Sequence, residues 1–194
     1  LNVVVGLYQH YSQPLREALT YFERAQRVGL DTGDFTFVSY ACAHYVETRL
    51  NIGDDLSSIA GSIDQYLLLM QRTHDSLATA LLRLLSQVVA CLRGLTSSCV
   101  SFNSKDFDED AFLRSMEEGL LEPIVFRYFT FKAQLYFLNG DYQQALDSCT
   151  KAERTMASSM GAVEICDVLQ YKCMALLMLA SNAEQAERER ILKE

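Results

Sequence analysis

The sequence predicts an all-α protein, and three observations carry that expectation. Proline is nearly absent, with only Pro14 and Pro123 in 194 residues, and most of the nine glycines stand where a helix would stop. Apolar residues recur at helical spacing through most of the chain. Gly–Asp pairs and small polar residues cut that pattern into segments of helix length. Hydrophobic residues make up 49% of the chain, enough for a sizeable core, and the length suits one domain spanning residues 1–194.

Each element follows from its stops and caps. A short first helix is expected over about Leu1–Tyr11. Ser12 and Pro14 then mark the start of a second, where proline is tolerated in the first turn. It runs to about Leu30, with Leu15, Ala18, Leu19, Phe22, Ala25 and Val28 on one face, and Gly33-Asp34 breaks it. A third covers about Asp34–Leu50 and ends at Gly53-Asp54. A fourth covers about Asp55–Arg72, with Leu56, Ile59, Ile63, Tyr66, Leu67 and Met70 on a face. A fifth covers about Asp75–Leu92, before Gly94. The stretch over about 95–108, rich in Ser, Asn and Asp, lacks helical periodicity and reads as a loop. Further helices are expected over about Glu109–Glu118, Glu122–Leu138 with Pro123 in its first turn, Asp141–Met156 and Ala162–Leu179. Asn182 is placed to cap a last, charged helix in "NAEQAERERILKE", where Glu184–Arg188 and Glu189–Lys193 are spaced i,i+4. That segment reads as a cap on the helical array, with a connector to a further domain as the alternative. The chain opens in mid-pattern on Leu1, so both ends are expected to continue into a longer protein.

Two turns are alike. "RLNIGDDLSSI" at 49–59 and "YFLNGDYQQAL" at 136–146 each close a helix with Asn and Gly and open the next with Asp. Glycine takes the left-handed conformation that ends a helix, and Asp accepts from the orphan N–H groups of the following one. Such turns join antiparallel helix pairs, and stacked pairs make a solenoid.

Composition excludes several functions. The net charge of −8, without a large Lys/Arg cluster, argues against nucleic-acid binding. No apolar run is long enough to span a membrane, because Arg83 and Ser86-Gln87 interrupt "ATALLRLLSQVVACL". The six cysteines (Cys42, Cys91, Cys99, Cys149, Cys166 and Cys173) form no C-x-x-C pair. Most sit in apolar helical stretches, so they read as reduced cysteines of a cytoplasmic protein rather than metal ligands. Asp106, Asp108, Glu109 and Asp110 lack the glycine and distal Glu of a calcium loop and read as a charged helix N-terminus. No phosphate loop, kinase signature, G-x-S-x-G or H-E-x-x-H occurs. His10, His44 and His74 lie in no phosphoacceptor motif, and His44, among Ala41, Ala43 and Tyr45, reads as structural. No catalytic residue, metal or cofactor is expected.

The segment Phe129–Ala152 resembles a tetratricopeptide repeat. Phe129 stands at the first large aromatic, Ala133 at the small crossing position and Tyr136 at the next aromatic. Gly140-Asp141-Tyr142 matches the turn, and Ala145 and Ala152 match the two small positions of the second helix. Lys132 departs from the usual Leu and Cys149 from the usual aromatic. The order of "PLREALTYFERAQRVGLDTGDFTFVSYACAHYV", "IDQYLLLMQ", "FDEDAFL" and "YFLNGDYQQALDSCTKAER" resembles the helical region of very large hybrid signalling proteins. Those carry a serine/threonine-kinase-like domain, an AAA-type ATPase, this helical region, often a GAF domain, and a histidine kinase. The resemblance implies tetratricopeptide-like antiparallel pairs in a right-handed superhelix. It also implies a non-catalytic regulatory or protein-interaction segment, bound to other domains of its parent or to a protein or peptide partner.

The aromatic run "FRYFTFKAQLYF" leaves two readings open. Phe126, Tyr128, Phe129, Phe131, Tyr136 and Phe137 surround the helix, as in a central helix packed on several sides. Alternatively, part of the run lines a groove. In tetratricopeptide proteins the first helix of a pair faces the concave surface, which the resemblance carries onto Arg127, Thr130, Gln134 and Phe137. Two other functions stand beside this one: a sensor holding a small molecule or peptide inside the superhelix, and a dimerisation module.

Overall fold

The computed structural model describes residues 11–73 and 75–183. The expected first helix, apart from Tyr11, lies outside these residues, as do His10, His74 and the charged segment 184–194. Eight helices are described: α1 (Ala18–Thr32), α2 (Phe35–Asn51), α3 (Leu56–Thr73), α4 (Ser76–Leu92), α5 (Glu109–Glu118), α6 (Glu122–Leu138), α7 (Tyr142–Glu153) and α8 (Glu164–Asn182). No strand occurs among the described residues, and an isolated antiparallel bridge joins Ser98 and Ser101. The fold class is therefore all-α.

Three boundaries differ from expectation. After Pro14 the chain makes a 3-10 turn at Leu15–Glu17 before α1 begins, and α1 runs on to Thr32 because its left-handed cap is Gly33. The expected helix to Met156 stops at Glu153, and Met156–Ser159 forms a separate 3-10 turn. The helix expected to end at about Leu179 continues to Asn182, and the segment that Asn182 was expected to cap lies outside the described residues.

The described residues fall into two compact units. The first holds the described residues up to Ser97 together with Phe102–Lys105, and the second holds Ser98–Ser101 and the described residues from Asp106 onward. The division falls in the Ser- and Asn-rich stretch, where no helical stripe ties one segment to the next.

In the first unit α2 is the central helix and packs against α1, α3 and α4. Val38, Ala41, Cys42, Ala43 and Val46 are all buried on it. Its closeness to α1 depends on Gly29, where a Cβ would stand 2.6 Å from Val38 Cγ2. Ile59, Ile63, Leu82, Leu84, Leu85 and Phe102 complete the buried set.

In the second unit α6 is central and packs against α5, α7 and α8. Ten of its residues are buried, from Ile124 to Leu135. Phe126, Ala133, Cys149, Ala152 and Val168 form one core cluster, with Phe129, Ile165 and Tyr171 packed against it. The small residues Ala133, Ala145 and Ala152 have 0% exposure, so α6 and α7 meet at close range along these positions.

The two Asn–Gly–Asp turns share one hydrogen-bond pattern. Gly53 N–H donates to Leu50 O and Asp54 N–H to Arg49 O; Gly140 N–H donates to Phe137 O and Asp141 N–H to Tyr136 O. The glycines have φ of 75° and 79°. These are helix-ending motifs in which the left-handed residue turns the chain and two late carbonyls are satisfied. The turns differ by one residue. Asp141 alone caps α7, accepting from Gln144 N–H at 3.1 Å. In the first unit Asp55 takes that role, accepting from Ser58 N–H at 2.7 Å. Asp54 is thereby left to meet Arg49 Nε at 3.0 Å and Arg16 at 3.3 Å.

Candidate functional site

The residues that the sequence places along a groove are mostly interior. Arg127 is 5% exposed and Thr130 2%. The Arg127 guanidinium donates to Pro123 O and to Ser159 Oγ and stands 3.7 Å from Glu164, itself 1% exposed. The Thr130 hydroxyl donates to Phe126 O one turn back. Gln134 and Phe137 are half-buried. The Phe137 ring lies 5.4 Å from Tyr142 and 5.6 Å from Tyr171. The four positions share one side of α6, but that side packs on α8 and on the turn before it. Arg127 and Thr130 have almost no surface to offer a ligand.

Glu109 is a second interior charge that sequence reasoning missed. It belongs to the acidic cluster read as a solvated helix start. Asp108 does cap α5, accepting from Ala111 N–H at 2.8 Å. Glu109 instead turns inward, with 6% exposure. Lys132 Nζ lies 2.9 Å from its carboxylate, Tyr128 OH donates to it at 2.7 Å and Ser101 Oγ at 3.0 Å. Lys132 also donates to Val100 O, and Asn139 to Cys99 O. The network pins 98–101 within the second unit. Burial together with the Glu109 hydrogen bond pushes the Tyr128 phenol well above its usual range, so it stays a neutral donor. Every group here is engaged with another, as in a polar core element rather than a reacting one.

Neither His44 nor the cysteines assemble chemistry. His44 stacks on Phe22 with ring centroids 5.9 Å apart, and its Nδ1 is 3.1 Å from Glu47. Cys42, Cys91 and Cys149 are buried while Cys99, Cys166 and Cys173 are exposed, so half the cysteines depart from the expected core role. Among the described residues no group of three His, Cys, Asp or Glu side chains is arranged for a metal ion. No described helix is long and apolar enough to cross a membrane.

An open groove lies in the first unit. Tyr21, Arg24, Val28 and Thr32 form a stripe on α1, joined by Asp34 and Phe37 at the start of α2, around a groove of about 420 Å³. Tyr21 is 39% exposed, Phe37 45% and Val28 50%. Phe35, beside them in sequence, is 48% exposed. Gly29 forms part of the floor, because the α1–α2 approach leaves no room there for a side chain. Asp34 is occupied by capping α2 through Phe37 N–H. Arg24 and Tyr21 have no hydrogen bond or ion pair to another described residue. A signal for this groove was present in the sequence. Tyr21, Arg24, Val28 and Thr32 recur at three to four residues, beside the stripe that buries Ala18 and Phe22. Only the packing shows which of the two stripes is covered.

No family model, curated protein or solved structure matches this chain.

Proposed function

We propose that this chain is a non-catalytic protein-interaction scaffold of tetratricopeptide-like helix pairs, serving as the regulatory helical region of a multidomain signalling kinase/ATPase. The observation that carries the interaction reading is the groove on α1 and α2. It is largely apolar, open to solvent and built on the α1–α2 helix pair. The tetratricopeptide-like arrangement draws support from the paired turns. In each unit a central helix meets the next helix through an Asn–Gly–Asp turn and also touches the one after it. The interior charges support a scaffold over an enzyme, since Glu109, Lys132, Arg127 and Glu164 are spent on one another. A sensor cavity around the aromatic run is disfavoured by the filled core at Phe126 and by Arg127, which points at Glu164.

The mechanism is positional: the helix pairs hold a partner, or flanking catalytic domains, in a geometry that a signal changes. The test is a titration of the labelled chain, in trans, against each domain flanking this sequence in its full-length protein, followed by fluorescence anisotropy. Saturable binding that Val28→Asp removes supports the reading. Absence of binding up to about 50 μM, where weak interdomain contacts already register, contradicts it.

A further inference from the structure

We infer that the groove on α1 and α2 takes an amphipathic helix from a protein partner, one that sets an acidic side chain against Arg24 beside its large apolar residues. This deepens, and rests on, the reading of the chain as an interaction scaffold. Shape points to a helix. The stripe Tyr21–Thr32 spans twelve residues of α1, about 17 Å from first to last at helical rise, and its far wall is the first turn of α2. Such a trough between two helices receives the ridge of a third through residues spaced i, i+3, i+4 and i+7. The exposed faces of Tyr21, Val28 and Phe37 supply apolar contact along it.

Charge sets the partner's sign. The protein is acidic overall, at −8, and two charged side chains line this groove, Arg24 and Asp34, neither of them in an ion pair among the described residues. Asp34, at the groove's end, is committed to the cap of α2 and keeps its carboxylate on the backbone. Arg24 therefore remains to be matched, and a guanidinium beside apolar surface is matched best by a carboxylate, which it binds through two parallel hydrogen bonds. The Tyr21 hydroxyl, one turn earlier, adds a second donor to the same carboxylate or to its neighbour.

The experiment is selection of random twelve-residue peptides displayed on phage, against the wild-type chain and Arg24→Glu in parallel. The wild type is expected to enrich peptides with Asp or Glu within one helical turn of Leu, Phe, Ile or Met. On Arg24→Glu the enriched charge is expected to invert to Lys or Arg. A synthetic peptide from the wild-type pool should bind Arg24→Glu about tenfold more weakly or worse, the scale of one lost charge-assisted contact. The control is Arg27→Glu, which changes net charge equally on the same helix outside the groove and should keep the wild-type preference. Circular dichroism melting of each variant verifies that the fold is retained. Enrichment without an acidic preference, or one that Arg24→Glu leaves unchanged, overturns this inference while the scaffold reading stands. No enrichment against any of the chains overturns both.

Discussion

The two units solve the same construction problem with different interiors. Each surrounds one central helix, α2 or α6, and each leaves that helix through a left-handed glycine followed by a capping aspartate. In the first unit Arg49 meets Asp54 at the rim, with side-chain exposures of 12% and 21%. The second also buries charge pairs: Arg127 meets Glu164 at 6% and 2%, and Lys132 meets Glu109 at 9% and 8%, while Lys172 and Glu153 pair at its surface at 25% and 29%. The second unit closes over its central helix, while the first leaves an apolar groove open at the start of its own. A charged residue on a central helix is thus not by itself a sign of a binding face. What decides is whether another element brings a carboxylate to it.

This contrast makes its largest prediction at Glu164. Removing it takes away the carboxylate that faces the buried Arg127 guanidinium, so Glu164→Ala should lower stability by about 3 kcal/mol, read by denaturant unfolding. Asp54→Ala, at the rim, should cost about 1 kcal/mol or less. Equal losses would remove the distinction between buried and rim charges. The paired replacement Arg127→Met with Glu164→Leu should recover most of the loss, because a well-packed apolar pair replaces an ion pair at little net cost.

Smaller effects test the shared turn. A Cβ at Gly53 or at Gly140 meets nothing within 4 Å, so alanine there suffers only the left-handed backbone. Gly53→Ala and Gly140→Ala should each cost about 1–2 kcal/mol, and the two values should agree. Disagreement would show that one turn stores strain beyond its glycine. A third helix end works otherwise. After α5, Leu120, 81% exposed, takes φ of 53° while Gly119 keeps helical values. Leu120→Gly should therefore gain about 1 kcal/mol, seen as a raised melting temperature.

The smallest effect concerns the thiols. Cys99, Cys166 and Cys173 should alkylate readily at pH 8 in the native chain, and Cys42, Cys91 and Cys149 only on unfolding, as mass spectrometry would show. Burial pushes the Cys42 thiol up to about 12 from an ordinary 9.0, and Cys149 up to about 11. Because these folded values lie above the unfolded one, their contribution to stability holds below pH 9 and is lost as pH rises through about 11 to 12. Alkaline unfolding should begin at higher pH in Cys42→Ala than in the wild type.

Helices, caps and turns were legible in the sequence because they depend on neighbours a few residues apart. The spans Glu109–Glu118 and Glu122–Leu138 stand where the periodicity and Pro123 put them, and Gly53 and Gly140 are left-handed as their turns require. The division at 95–108 lay in a stretch already read as irregular. Its consequence, two compact units, depends on long-range packing. The same holds for Arg127 and Glu109. Their partners Glu164 and Lys132 are 37 and 23 residues away, and no local pattern reveals that they meet. The groove was half visible, since the stripe Tyr21–Thr32 can be read from spacing while its exposure cannot.

Hydroxyl-radical footprinting of the free chain tests the contrast between the units most directly. The account predicts fast oxidation at Tyr21, Phe35 and Phe37, and strong protection at Phe126, Tyr128 and Phe131. Protection of Tyr21 and Phe37 in the free chain would mean that the groove is already filled. That result would contradict the claim that the first unit carries the open binding surface.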